Sequence, residues 1–280
     1  MKVIREPHEM RTWSDASRSA GRRVGFVPTM GALHSGHLAL VDEARRRSDD
    51  VVVSIFVNPL QFDVRADFDK YPRPIDDDLE ACERAGVDVV YAPTAATMYP
   101  EGFDTRVQPG ALANVLEGTH RPGHFTGVTT VVAKLFTAVR PDLAVFGQKD
   151  AQQLAIIRRM SVDLDLGIDI AALPTVREPD GLALSSRNRR LNPDERAAAV
   201  CLSAGLRAAR DAHDRGERST AALLATARAP IAAEPLARLE YLALVDPATF
   251  RSALDPCVTG LLVLAAWFGE VRLIDNQPLG

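Results

Sequence analysis

Cysteine, lysine and long apolar runs are all scarce in this 280-residue chain, and each scarcity narrows what the protein does. Cys82, Cys201 and Cys257, the whole complement of three, are too few and too scattered for a disulfide framework or a C-x-x-C metal site, which fits a reducing compartment. The longest apolar run, Leu261 to Phe268, is far shorter than the ~20 residues a membrane-spanning helix requires. The opening Met1-Lys2-Val3-Ile4-Arg5-Glu6-Pro7 is charged and interrupted by proline, so no signal-peptide apolar core is legible. A cytoplasmic protein with no membrane partner is expected. A net charge of −4, from 33 basic and 37 acidic residues, gives no general attraction to nucleic acid. Lysine occurs four times, against 29 arginines, so Lys149 stands out where a point charge is placed in a turn.

What is present is dominated by Val24-Gly25-Phe26-Val27-Pro28-Thr29-Met30-Gly31-Ala32-Leu33-His34-Ser35-Gly36-His37. It reads as a buried strand that Pro28 stops, a turn in which Gly31 and Gly36 let the backbone bend tightly, and a helix opening on two histidines. The first N–H groups of such a helix lack intrahelical partners and lie at the positive end of its dipole, so an anion there is stabilised. The segment lacks the lysine of G-x-x-x-x-G-K-[ST] and the spacing of G-x-G-x-x-G, which excludes both common nucleotide loops.

Up to about Val176, β-rich runs alternate with helical patterns, as in parallel βαβ units. Strands are expected at Val24–Pro28, Val51–Val57, Asp88–Tyr91, Leu143–Phe146 and Ile170–Val176, with helices at His37–Arg47, Ile75–Ala85, Val128–Val139 and Asp150–Leu164. The fold class is therefore α/β, a Rossmann-like parallel sheet with helices on both faces. Residues 177–280 change in texture. Asn192, Pro193 and the acids after them predict a helix start running toward His213, and a second helix follows Ser219. Late strands at Arg238–Val245 and Val258–Phe268, with Glu270–Ile274 as a third, predict a smaller α+β domain closing over the 1–176 domain, with Glu178–Asn188 as hinge.

Polar signatures begin where strands stop, the usual ligand position in an open parallel sheet. Asn58-Pro59-Leu60-Gln61-Phe62 offers two amides that both donate and accept. Glu117 to Val128 is a glycine-punctuated loop carrying Arg121, His120 and His124, a candidate lid. Gly147-Gln148-Lys149-Asp150 is a second strand-to-helix junction with a cation, and Leu184-Ser185-Ser186-Arg187 combines hydroxyls with a guanidinium. Four imidazoles (His34, His37, His120, His124) also admit a zinc site, against which no acidic support is legible and H-x-x-H falls in a glycine turn. Donors without an obvious nucleophile suit a reaction in which a substrate oxygen attacks phosphorus.

Pro28–His37 resembles the P-T-M-G-x-L-H-x-G-H signature of the pantothenate synthetase family, a branch of the HxGH nucleotidylyltransferases. Asn58–Phe62, Tyr71–Arg73, Glu117–Val128, Phe146–Gln153 and Leu182–Asn188 match further stretches in the family's order. The resemblance implies an AMP-forming ligase that activates pantoate with ATP as pantoyl adenylate and transfers it to β-alanine, giving pantothenate, with Mg2+ accompanying the nucleotide and a homodimeric assembly. It implies His37 as proton donor, supported by His34, Lys149 and Arg187. Nucleotide contacts are implied at Met30, Gly31, Ala32, Leu33, His34, Ser35, Gly36 and His37, then at Gly147, Gln148, Lys149, Asp150, Val176, Leu184, Ser185, Ser186 and Arg187. Gln61 and Gln153 match the pantoate-holding glutamines, and Gln61, Asn58 and Arg121 are candidates for β-alanine. Leu184 stands where methionine is common in the family, a near match in volume. No protein ligand is implied for the magnesium.

Overall fold

The computed structural model of the chain describes residues 1–63 and 65–280. Two compact units emerge: Met1–Gln148 with Gln152–Pro174, and Lys149–Ala151 with Thr175–Gly280.

The first unit is a six-stranded parallel sheet of β1 (Lys2–Ile4), β2 (Val24–Thr29), β3 (Asp50–Ile55), β4 (Val89–Tyr91), β5 (Leu143–Gly147) and β6 (Asp169–Leu173), in the order β1-β4-β3-β2-β5-β6. Alternate side chains of each strand face opposite ways, and both faces are buried. Val24, Phe26, Val52, Val89 and Tyr91 join one apolar cluster that includes Met10 and residues of helix His124–Val139. Val27, Val51, Val53 and Val90 join another with Leu40, Val41 and Ala44 of helix Ser35–Arg47 and Cys82 of helix Ile75–Arg84. Continuous apolar strands are the consequence of that double cover. From β2 the chain winds outward through β3 and β4, whereas β5 and β6 lie on the other side of β2. The winding reverses between β2 and β5, and in open parallel sheets the carboxyl ends of the strands at such a reversal are the usual place for a ligand.

Boundaries differ from expectation where local chemistry intervenes. Strand β6 ends at Leu173 rather than Val176, because Pro174 carries no N–H for the ladder. The helix expected from Val128 begins at His124, immediately after Gly123 in the left-handed region at φ 81°. Strand β1 and helix Pro7–Ser19 have no counterpart in the sequence reading.

In the second unit, β7 (Arg238–Val245), β8 (Gly260–Phe268) and β9 (Val271–Leu279) form an antiparallel sheet in that order. Leu262, Leu264, Ala266 and Phe268 of β8 pack with apolar residues of helices Pro193–Ala198, Val200–Asp214 and Thr220–Ala232. The single helix expected to run from Asn192 toward His213 is two, with Ala199 at the joint. Asn192 caps the first of them, accepting the Glu195 amide at 2.9 Å while the Glu195 carboxylate accepts the Asn192 amide at 3.0 Å. Gly205 lets the second and third approach, since a Cβ there would stand 2.3 Å from the Ala227 carbonyl oxygen.

Candidate functional site

The turn after β2 is built by two side chains that turn inward. The Thr29 hydroxyl donates to the Ser54 carbonyl at 2.7 Å and accepts the Gly31 amide at 3.1 Å. Asp78, 2% exposed, accepts the Ala32 amide at 2.8 Å with one oxygen and the Leu33 amide at 2.7 Å with the other. Glycine is required at position 31: φ is +80°, and a Cβ would meet the Asp78 carboxylate at 2.8 Å. Ala32 takes φ +52° despite its side chain, a conformation that the Asp78 bonds hold in place.

Helix Ser35–Arg47 follows, with His34 as its N-cap. His34 Nδ1 accepts the Gly36 amide at 3.2 Å, and His37 Nδ1 accepts the His34 amide at 3.4 Å. A neutral imidazole that accepts at Nδ1 carries its proton on Nε2, so both rings present Nε2–H as a donor. The rings lie 4.1 Å apart between centroids. No acidic residue occupies the first turn, whereas Arg45, Arg46 and Arg47 close the last one, a charge distribution whose positive helix end suits an anion.

After β3, Pro59–Gln61 forms one 3-10 turn capped by Asn58. The four hydrogen-bonding positions of the Asn58 amide are filled by protein: Leu60 N–H and Tyr99 O–H at Oδ1, Gln61 Oε1 and the Gly127 carbonyl at Nδ2. Arg121 donates to the Gln61 carbonyl at 3.2 Å and pairs with Asp63 at 3.4 Å, while His124 Nδ1 lies 2.8 Å from the same Gln61 carbonyl. Gly127 permits the close approach, since a Cβ there would lie 2.2 Å from the Leu60 carbonyl oxygen. Asn58 and Arg121, read from sequence as β-alanine contacts, thus brace Gln61. The Gln61 amide nitrogen lies 3.1 Å from the Met30 sulfur, which brings Gln61 beside the turn after β2.

Beyond β5, Gln148–Asp150 makes a 3-10 turn that leads into helix Ala151–Asp163. Gln152 is buried and holds the preceding loop, donating to the Leu112 and Val115 carbonyls at 2.7 and 2.8 Å and accepting the Glu117 amide at 3.1 Å. Gln153, its neighbour on the helix, is only half-buried. The segment read as an irregular lid contains a helical turn at Glu117–His120.

In the second unit, the Lys149 carbonyl accepts from Asn276 at 2.9 Å, and Asn276 sits beside the buried Asp275 that pairs with Arg177 at 2.7 Å. The Leu184 amide donates to the Val176 carbonyl at 3.0 Å, which brings those two sequence-selected residues together. Ser185 caps the 3-10 turn Ser186–Arg190, accepting the Arg187 amide at 3.2 Å. Asn188 secures that loop to Glu178 and to the Ala183 carbonyl, both at 3.0 Å.

Among the described residues, no three His, Cys, Asp or Glu side chains converge as a metal-binding group. The four histidines are distributed accordingly: His34 and His37 cap one helix, His120 ends the short helix Glu117–His120, and His124 sits against Gln61 and Arg121. Asp78, Tyr99 and Gly127 were not legible as site residues, because each acts on a partner tens of residues away in sequence.

The family model for pantoate-beta-alanine ligase matches residues 2–278. The chain belongs to the pantoate-β-alanine ligase family. It is 53% identical over 280 residues to pantothenate synthetase 1 of Bradyrhizobium diazoefficiens, covering 100% of this chain and 98% of that one. Identity to the pantothenate synthetase of Thermobifida fusca is 54% over 268 residues, 92% of this chain and 90% of the relative. The solved pantothenate synthetase of Thermus thermophilus superposes with a TM-score of 0.93 at 46% identity, covering 99% of both chains. A pantoate-β-alanine ligase from Francisella tularensis, solved in complex with beta-gamma ATP and β-alanine, matches with a TM-score of 0.81 at 34% identity over 99% of this chain and 97% of that one. The ligase fold of six parallel strands and a small antiparallel sheet is shared with these structures.

Proposed function

We propose that this ligase condenses pantoate with β-alanine, using ATP and releasing AMP and pyrophosphate. A pantoate carboxylate oxygen attacks the α-phosphorus of ATP and pyrophosphate leaves; the β-alanine amine then attacks the acyl carbon of the adenylate and AMP leaves. The observation that carries the reading is the paired imidazole cap. Two Nε2–H donors at a helix start, just past the switch between β2 and β5, suit the phosphoryl oxygens on which charge develops.

In this reading His37 donates a proton or hydrogen bond as pyrophosphate departs, with His34 beside it. Met30 to His37 cradle the phosphates. Lys149 supplies a point charge, with Arg187 and the Ser185 and Ser186 hydroxyls as further donors. Backbone groups at Gly147, Gln148, Asp150, Val176 and Leu184 complete the nucleotide contacts. Gln61 and Gln153 hold pantoate, and β-alanine is held beside Gln61, with Asn58 and Arg121 acting through it. Magnesium enters as part of the nucleotide substrate, an ion that keeps its waters and relies on phosphate oxygens, so no residue is assigned to it.

No helix among the described residues is long and apolar enough to cross a membrane, and we infer a cytoplasmic placement from the biosynthetic reaction alone. We infer a homodimer of the 30.4 kDa chain, which light scattering tests by mass. The reaction is tested by product analysis: AMP and pyrophosphate should form only with pantoate, and pantothenate only when β-alanine is added. Formation of ADP and phosphate instead would overturn it.

A further inference from the structure

The Asn58 side chain is 1% exposed, and main-chain groups of fixed sign decide its orientation. The Leu60 N–H can only donate, and it lies 3.2 Å from Oδ1; the Gly127 carbonyl can only accept, and it lies 3.1 Å from Nδ2. Tyr99 adds a second donor to Oδ1 at 2.7 Å. Its ring stands 6.1 Å from that of Phe56 and 4.9 Å from that of Phe103, and burial raises its pKa, so the hydroxyl keeps its proton. The remaining Asn58 N–H then meets Gln61 Oε1 at 3.0 Å.

A glutamine amide is free to turn over unless something distinguishes its two ends. Here its carbonyl end is held by a donor that cannot itself turn over, and its Nε2 is left toward Met30. Reversal would set two N–H groups against each other in a part-buried site.

We propose that Asn58 and Tyr99 are positioning residues that fix the polarity of Gln61, so that Gln61 meets pantoate as a hydrogen-bond donor and selects an acceptor oxygen at that position. The proposal rests on the assignment of Gln61 to pantoate made above. It also separates Asn58 from direct contact with the β-alanine amine, since its own donors and acceptors are already satisfied.

The test is pantoate-dependent ATP–pyrophosphate exchange in the full chain, with Michaelis constants for pantoate and ATP and a thermal midpoint, for Gln61→Ala, Asn58→Asp and Tyr99→Phe. Asn58→Asp offers Gln61 an acceptor instead of a donor and turns its amide over; KM for pantoate should rise on the order of tenfold or more, with KM for ATP within about twofold. Tyr99→Phe, which removes one oxygen and leaves the ring packing, should raise KM for pantoate about three- to fivefold with the same selectivity. If Gln61→Ala leaves the pantoate constant unchanged, both this inference and the Gln61 assignment are overturned. If Gln61→Ala raises it while Tyr99→Phe and a folded Asn58→Asp do not, this inference alone is overturned. Parallel rises in both constants that track a lowered thermal midpoint would make the two residues merely structural and would also overturn it.

Discussion

Asp78 accepts the backbone amide of Ala32 at 2.8 Å across 46 positions of sequence, and this bond holds the histidine turn from below. With the second oxygen on the Leu33 amide, the carboxylate holds a non-glycine residue at φ +52° within the turn after β2. Asp78→Ala leaves two main-chain donors without that acceptor. It should destabilise the fold by about 2–5 kcal/mol and raise KM for ATP on the order of tenfold. Asp78→Asn, which keeps one acceptor, should show a smaller loss. Urea denaturation and initial-rate kinetics check both; an Asp78→Ala enzyme with parental KM for ATP would remove the turn from nucleotide binding.

The two histidines separate catalysis from stability. His37→Ala removes the Nε2–H donor and should lower kcat by about 10²–10³, while the loss of one helix-start hydrogen bond lowers stability by only about 1 kcal/mol. Paired measurement of kcat and the denaturant midpoint checks the prediction. A variant that loses stability in proportion to its activity would mark His37 as a cap and nothing more.

The acid limb of stability contains an identifiable contribution from Asp50. Burial pushes its pKa up, but hydrogen bonds from Arg22 and Ser17, together with the Arg22 charge, outweigh burial and leave it below the ordinary carboxylate value. A depressed folded-state pKa means the stabilisation is fully present above the unfolded value of ~3.9 and is lost as pH falls through the folded value. Asp50→Asn should therefore flatten the fall in thermal midpoint below ~pH 4 relative to the parent chain. Superimposable acid limbs would show that the group contributes nothing to pH dependence.

Much of the site was legible because its chemistry is local. Thr29 to His37 carries strand end, turn glycines and helix start within a few residues, and the expected helix His37–Arg47 differs from Ser35–Arg47 only at its cap. Apolar strands such as Val51–Val57, observed as Asp50–Ile55, are readable because both sheet faces demand the same residue type. Strand β1 spans only Lys2–Ile4, too short for any periodicity to show, and helix Pro7–Ser19 is mostly polar. Asp78 looked like one more acid in a helix's first turn, and nothing in Asp76-Asp77-Asp78 distinguishes the buried carboxylate from the solvated ones. Tyr99 follows a single helical turn and reaches Asn58 only in the folded chain. Asn58 and Arg121 were read from sequence as candidate β-alanine contacts, and that they brace Gln61 is a matter of tertiary geometry.

Attack of a pantoate carboxylate oxygen on the α-phosphorus of ATP leaves that oxygen in AMP, so isotope transfer reads the step itself. Pantoate carrying oxygen-18 in both carboxylate positions is incubated with ATP, β-alanine and the enzyme, and the products are read by mass spectrometry. One labelled oxygen is expected in AMP and one in the amide carbonyl of pantothenate; AMP without label, or label in inorganic phosphate, would rule out that attack.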